Sequence, residues 1–290
     1  MHEDQLAYYA EPGPMTTLEL SPRAAQGLPA DPLELCGIAR SLIVHEFMTS
    51  SLYGVEVPAD RGDEVETRPV SAIVDGILRL DPRPLVEPRP PERRMIGNCR
   101  QFSTLTIALL RRAGIPARAR CGFGTYFEAG KYIDHWIIEY WDTYRGDWRR
   151  VDSQLDQVQH DALSIDFDAT DVPPDRFVPG GDAWQLCRAG RADPDDFGIL
   201  EFWGRTMVLG DVVRDLASLN KVELLPWDGW GLMNQFDDVG ENAADRLTNE
   251  VARATVTGDF PEIRRLYEGN DLLRVPDTIV SYRSGATVSL

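Results

Sequence analysis

Between Asn98 and Pro116 the apolar residues Phe102, Leu105, Ala108, Leu109 and Ala113 recur at helical spacing. Asn98 suits an N-cap, and Gln101 stands where the third helical residue of a capping box reaches back, so a helix is predicted from Cys99. Gly114 favours a left-handed terminal residue and Pro116 cannot continue the ladder, which stops that helix near Gly114. The period then falls to two. Residues 117–123 alternate as a strand, residues 132–141 are β-branched and aromatic, and residues 147–152 form a third strand across a hairpin loop at 142–146.

Either side of this block the pattern is coarser. Asp31 caps an amphipathic helix predicted over 32–50, with Leu33, Cys36, Ile38, Ala39, Leu42, Ile43 and Phe47 on its apolar side and His45 within it. A second helix is expected over 70–80, and the proline-rich stretch 82–91 is a loop feeding the Cys99 helix. Residues 1–30 carry strand-like pieces broken by Pro12, Pro14, Pro22 and Pro29 and read as an irregular arm. After residue 165 the pattern predicts an acidic surface loop over 166–181, a short helix from Trp184 to near Gly190, and a helix over 197–219. Residues 182–268 are expected to be mostly helical, with an edge strand in the tail from Val275. Trp227 and Trp230 line a cleft or pack against the core, and packing is the simpler reading. The expected division is an arm over 1–31, a catalytic core over 32–165 and a helical C-terminal extension over 166–290.

Composition changes this picture little: 290 residues, 43% hydrophobic and 27% charged, suffice to bury a sizeable core. Charge excludes more. A net −17 argues against a nucleic-acid partner, because phosphate binding needs a positive surface. The distribution is uneven, with eight arginines against Glu92 over 89–120 and eleven aspartates against three arginines over 152–200. Arg93, Arg94 and Arg100 either lower the Cys99 pKa and receive an anionic substrate group, or ion-pair with the acidic segment; ion pairing is preferred. No apolar run reaches the ~20 residues of a membrane span, and the opening residues form no basic, apolar leader, so a cytoplasmic protein without a membrane partner is expected. Cys36, Cys99, Cys121 and Cys187 show no ligand or disulfide spacing, so no metal and no cofactor are expected.

The chemistry concentrates at Cys99. A thiol in the first turn of a helix faces unpaired N–H groups and the positive end of the dipole, which favours the thiolate. His135 on the second strand and Asp152 at the end of its hairpin neighbour can converge on it, since neighbouring strands lie about 5 Å apart. The thiolate then attacks, the imidazole moves the proton, and the carboxylate orients the imidazole. Taken singly, each has a plainer reading: a buried apolar cysteine, a hydrogen-bonded core histidine, a strand-ending aspartate.

Three separated blocks decide between the readings: Gly97-Asn98-Cys99 through Ala113-Gly114-Ile115-Pro116-Ala117-Arg118, then Asp134-His135-Trp136 through Glu139, then Trp148-Arg149-Arg150-Val151-Asp152. Together, over roughly residues 90–155, they resemble the core of the transglutaminase-like superfamily. The resemblance implies an α+β, papain-like fold with the nucleophile helix packed on an antiparallel sheet. It further implies Cys99 as nucleophile, His135 as base and Asp152 as third member, acting in acyl transfer at an amide, peptide or acyl-carrier substrate. Many members place a Trp, Tyr or Gln ahead of the nucleophile to bind the oxyanion. Here the first tryptophan is Trp136 and no glutamine stands between Gln26 and Gln101. The backbone N–H of Cys99 is then one donor, with Tyr53 or Asn98 as the other and Trp136 as a further substrate contact. The superfamily includes members without activity, so a binding module that keeps the fold stands as the alternative to an amide hydrolase or acyltransferase.

Overall fold

The computed structural model describes residues 2–235 and 241–290. They form an α+β protein that divides into two compact units interleaved along the chain. The first comprises His2–Ala119 and Ile137–Pro173, the second Arg120–Trp136 and Pro174–Leu290.

The first unit is built around α5 (Cys99–Arg112), against which α1 (His2–Ala10), α2 (Pro32–Leu42) and α4 (Val70–Leu80) pack. Every residue of α5 from Cys99 to Arg111 is buried, polar ones included. Its polar side chains therefore bond to neighbouring backbone. Arg100 Nη1 donates to the Arg68 carbonyl at 2.6 Å, Gln101 Nε2 donates to the Glu64 and Thr67 carbonyls at 3.1 Å each, and Arg111 Nε donates to the Tyr9 carbonyl at 3.2 Å. Gly114 takes φ +74° and ends the helix as expected.

Three stretches of this unit depart from or refine the sequence pattern. The helix predicted over 32–50 stops at Leu42, and Ile43–His45 form β1, in parallel register with β2 (Met95–Gly97). An Ile-Val-His run fits a buried strand as well as a helical face, and only pairing with residues fifty positions away decides it. The predicted irregular arm begins as α1, whose Tyr9 is fully buried and touches Trp148 edge to face at 5.5 Å. The hairpin forms as predicted, β4 (Tyr132–Asp142) pairing with β5 (Asp147–Val151) so that Ile138 faces Val151 and Trp141 faces Trp148. Glu139 on β4 bonds both Arg118 at 2.7 Å and Arg150 at 3.2 Å, and the Arg118 guanidinium lies 4.0 Å from the Trp148 ring centre.

In the second unit β6 (Phe177–Pro179), β3 (Ala117–Gly124), β4, β7 (Phe197–Ile199) and β8 (Phe202–Trp203) lie in that order. The predicted loop at 166–181 thus contains a strand. So does the start of the predicted helix over 197–219, where the helix itself, α8, is confined to Arg205–Leu219. Aromatic packing explains the change. Phe197 stacks on Tyr132 at 4.1 Å and meets Phe123 edge to face at 5.0 Å, which draws β7 into parallel pairing with β4. α7 (Gly180–Arg188), α8 and the helix Glu241–Thr257 pack together, giving the helical character expected of this region. The tail forms β10 (Thr278–Ser281) and β11 (Thr287–Ser289), with β9 (Asp228–Gly229) on the other side of β10. Trp230 is buried, its indole N–H donating to the Leu273 carbonyl at 3.1 Å. All four cysteines are free. Among the described residues no helix is long and apolar enough to cross a membrane.

Candidate active site

Cys99 is the first residue of α5, and the chain before it is fixed from both sides. Asn98 Oδ1 accepts the Arg100 N–H at 3.1 Å, while Gln101 Oε1 accepts the Asn98 N–H at 2.9 Å, completing the predicted capping box. One step earlier, the Gly97 carbonyl accepts the Glu46 N–H at 2.9 Å beside the β1–β2 pair, and the Ile96 N–H donates to Glu64 Oε2 at 2.7 Å. Glu64 is itself held by Arg61 at 2.7 Å. Gly97 has no room for a side chain: a Cβ there would lie 2.7 Å from Gln101 Oε1 and 2.8 Å from Ile43 Cγ2. Glu64 was missed by sequence reasoning, because an acidic residue in a short charged turn carries no signal of a partner thirty residues away.

Cys99 itself is 6% exposed. Burial pushes the Cys36 thiol up to about 12, that of Cys187 up to about 11, and that of Cys121 well above the ordinary range. At neutral pH these three are thiols. None of them opens a helix behind an N-cap.

Asp152 follows the last residue of β5 and is buried. Its backbone N–H donates to the Ala169 carbonyl at 2.8 Å and its Oδ1 accepts the Gln154 N–H at 2.9 Å, so both backbone and carboxylate are fixed. Tyr53 donates its hydroxyl proton to Asp156 Oδ2 at 2.8 Å and accepts from Gln159 Nε2 at 3.0 Å, with the Arg94 guanidinium 5.6 Å from its ring centre. Cys99, Asn98, Tyr53 and Asp152 all belong to the first unit. His135 and Trp136 lie on the part of β4 assigned to the second, both buried, with the His135 ring 4.8 Å from that of Phe127 and 5.9 Å from that of Tyr126. His45 accepts the Phe47 N–H on Nδ1 at 3.3 Å.

The basic segment divides between several roles. Arg94 reaches Asp156 at 3.7 Å, as the ion-pairing reading expects, whereas Arg100 is fully buried against the Arg68 carbonyl and Arg93 bonds the Leu80 carbonyl at 3.4 Å. The acidic segment is instead tied down by the hairpin, through Arg145 to Asp171 at 2.7 Å and Arg149 to the Thr170 carbonyl at 2.6 Å.

Residues 81–153, the span that holds Cys99, His135 and Asp152, match the family model of the transglutaminase-like superfamily. Among solved structures, the chain is similar to a proposed cysteine protease from Cytophaga hutchinsonii, at 18% identity and a TM-score of 0.24. The similarity covers 51% of this chain and 42% of that one, so the match spans less than half of the other protein. No curated protein matches. The C-terminal region from Pro174 lies outside the matched residues.

Proposed function

We propose that the protein is a cysteine-dependent amide hydrolase or acyltransferase that works through an acyl thioester on Cys99. The observation that carries the reading is the fixed presentation of one cysteine, Cys99, in the first turn of a buried, capped helix, a position that Cys36, Cys121 and Cys187 do not hold. The Cys99 sulfur attacks the carbonyl carbon, forming a C–S bond as the amide C–N bond breaks. His135 takes the thiol proton and returns it to the departing amine, and Asp152 orients the imidazole. Water or a second amine then attacks the thioester, and the Cys99 thiolate leaves. The donor is an amide, a peptide or a carrier-bound acyl group; with the last, the C–S or C–O bond to the carrier breaks instead and the proton goes to the departing carrier thiol or hydroxyl.

Two groups are assigned to the developing oxyanion: the backbone N–H of Cys99 and Asn98 Nδ2. Asn98 is favoured over Tyr53 by a specific difference. Asn98 Nδ2 is enclosed without a hydrogen-bond partner, whereas the Tyr53 proton is committed to Asp156. Labelling with iodoacetamide at neutral pH tests the assignment. Cys99 is expected to react selectively, and His135→Ala to slow that reaction by on the order of 10²-fold, the lower range for general-base assistance. Equal labelling of all four cysteines, or labelling indifferent to His135, favours the non-catalytic alternative.

A further inference from the structure

Cys121 on β3, Asp134 on β4 and Asp211 on α8 bring one donor atom each to a common point, all within 4.8 Å of one another, and all three side chains are buried. The group lies wholly inside the second unit. Asp134 Oδ1 and Asp211 Oδ2 are enclosed, and neither has a hydrogen-bond partner. Carboxylate oxygens removed from water without a partner are unfavourable, and orphaned ones in a well-packed interior point to a missing proton, water or ion.

The surrounding charges narrow the choice. Arg214 donates from Nη1 to Asp211 Oδ1 at 3.1 Å and from Nη2 to the Asp228 carbonyl at 3.3 Å, which fixes one oxygen of Asp211 and leaves the other open. Asp215 is already used, paired with Arg120 at 2.8 Å and accepting the Cys121 N–H at 3.0 Å. With the thiol ionised, two carboxylates and a thiolate against one guanidinium leave two negative charges in a dry interior. A single proton shared between the two orphaned oxygens, with the thiol neutral, also balances the charge and engages both oxygens, but not the sulfur. One divalent ion satisfies both and engages the sulfur.

We propose that Cys121, Asp134 and Asp211 bind one zinc-type divalent cation, with Arg214 holding Asp211 in place. A sulfur donor selects against magnesium and calcium, and three protein donors leave a fourth position for water. At bond lengths of about 2.3 Å to sulfur and 2.1 Å to oxygen, tetrahedral donors lie about 3.4–3.6 Å apart, so a group within 4.8 Å closes by at most on the order of 1 Å on binding. Such an ion ties β3, β4 and α8 together at the residue before His135. Successive strand residues face opposite ways, so it stands behind the histidine and is structural rather than reactive. Its ligands come from three elements and share no sequence motif, which is why cysteine spacing shows no zinc pattern.

The test uses the full chain with Cys99→Ala, which keeps the proposed nucleophile from contributing a ligand. Protein expressed in zinc-supplemented medium and dialysed exhaustively is analysed for metal by mass spectrometry. About one equivalent of zinc is expected to be retained, because a buried ion is taken up on folding. Cys121→Ser, Asp134→Asn and Asp211→Asn are each expected to lower it at least tenfold. Cobalt(II) in place of zinc gives a second readout that does not require those variants to be equally stable. A thiolate-to-cobalt charge-transfer absorption is expected in the parent and absent from Cys121→Ser protein shown to be folded by circular dichroism. Folded parent protein without zinc, or full zinc retention in Cys121→Ser and Asp134→Asn, overturns the proposal. So does a higher melting temperature for Asp134→Asn in zinc-free protein that never bound the metal, the result a shared-proton pair gives.

Discussion

Gln101 reaches back one helical turn to accept the backbone N–H of Asn98, while the Asn98 side chain accepts the N–H of Arg100, so Cys99 lies between two reciprocal hydrogen bonds of 2.9 and 3.1 Å. The same glutamine donates to the Glu64 and Thr67 carbonyls. Cap, Cys99 and the preceding turn are therefore one hydrogen-bonded unit, and substitutions in it are expected to separate folding from the proposed chemistry.

Asn98 caps the helix through Oδ1, and the proposed oxyanion role falls to Nδ2. Asn98→Ser keeps an N-cap acceptor and loses the Nδ2 donor. It is expected to leave the melting temperature near that of the parent while lowering kcat about 10²-fold, the usual cost of one oxyanion donor. Asn98→Ala loses the cap as well and is expected to lose a further ~1 kcal/mol of stability. Chemical denaturation and steady-state kinetics on the three proteins check this; a Ser variant with unimpaired kcat removes Asn98 from the oxyanion site.

Gly97→Ala places a methyl group into Gln101 and Ile43. Overpacking of this kind costs about 1–3 kcal/mol, and relief by displacing Gln101 opens the capping box. Denaturation midpoints are expected to fall by that amount and Cys99 labelling to slow, whereas Gly62→Ala, at a position with open space around it and no positive φ, leaves labelling unchanged.

Cysteine reactivity is expected to depend on pH in a residue-specific way. Cys187, half-buried with its thiol pushed up to about 11, remains protonated at neutral pH and gains reactivity only as pH rises toward that value. Peptide mapping of iodoacetamide adducts at neutral pH and at about pH 10 is expected to show Cys99 alone at the lower pH and Cys99 with Cys187 at the higher.

Acid stability has a local determinant at the end of α4. Arg83 donates to both oxygens of Asp81, at 2.9 and 2.7 Å, and holds its carboxyl down at about 2, below the ordinary aspartate value of about 3.9. A depressed carboxylate pKa means the unfolded chain takes up the proton first. The stabilisation is complete above about pH 4 and is lost as pH falls through about 2. Urea unfolding across that range is expected to lose this acid-dependent component in Asp81→Asn, and an unchanged profile contradicts the assignment.

What the sequence made legible was local. The α5 start, the capping box, the Gly114 stop and the β4–β5 hairpin rest on residues within a few positions of each other, and each stands where the pattern puts it. What it hid was long-range. Ile43–His45 became a strand because of Met95–Gly97, and Phe197–Ile199 left the helix pattern because of Tyr132 and Phe123. Glu64 holding Ile96, and Cys121 meeting Asp211, are pairings of residues far apart in the chain that no spacing rule anticipates. The candidate site was readable where one helix start supplies it, and the supports beneath it were not.

The central claim is an acyl thioester on Cys99, and intact-mass spectrometry tests it most directly. The protein is exposed to a panel of simple amides, peptides and carrier-bound acyl groups, quenched in acid and digested for peptide mapping. The account predicts a mass increase equal to the acyl group of at least one donor, located on Cys99 and absent from Cys99→Ala. Adducts confined to Cys36, Cys121 or Cys187, or none with any donor while His135→Ala labels as fast as the parent, contradict it.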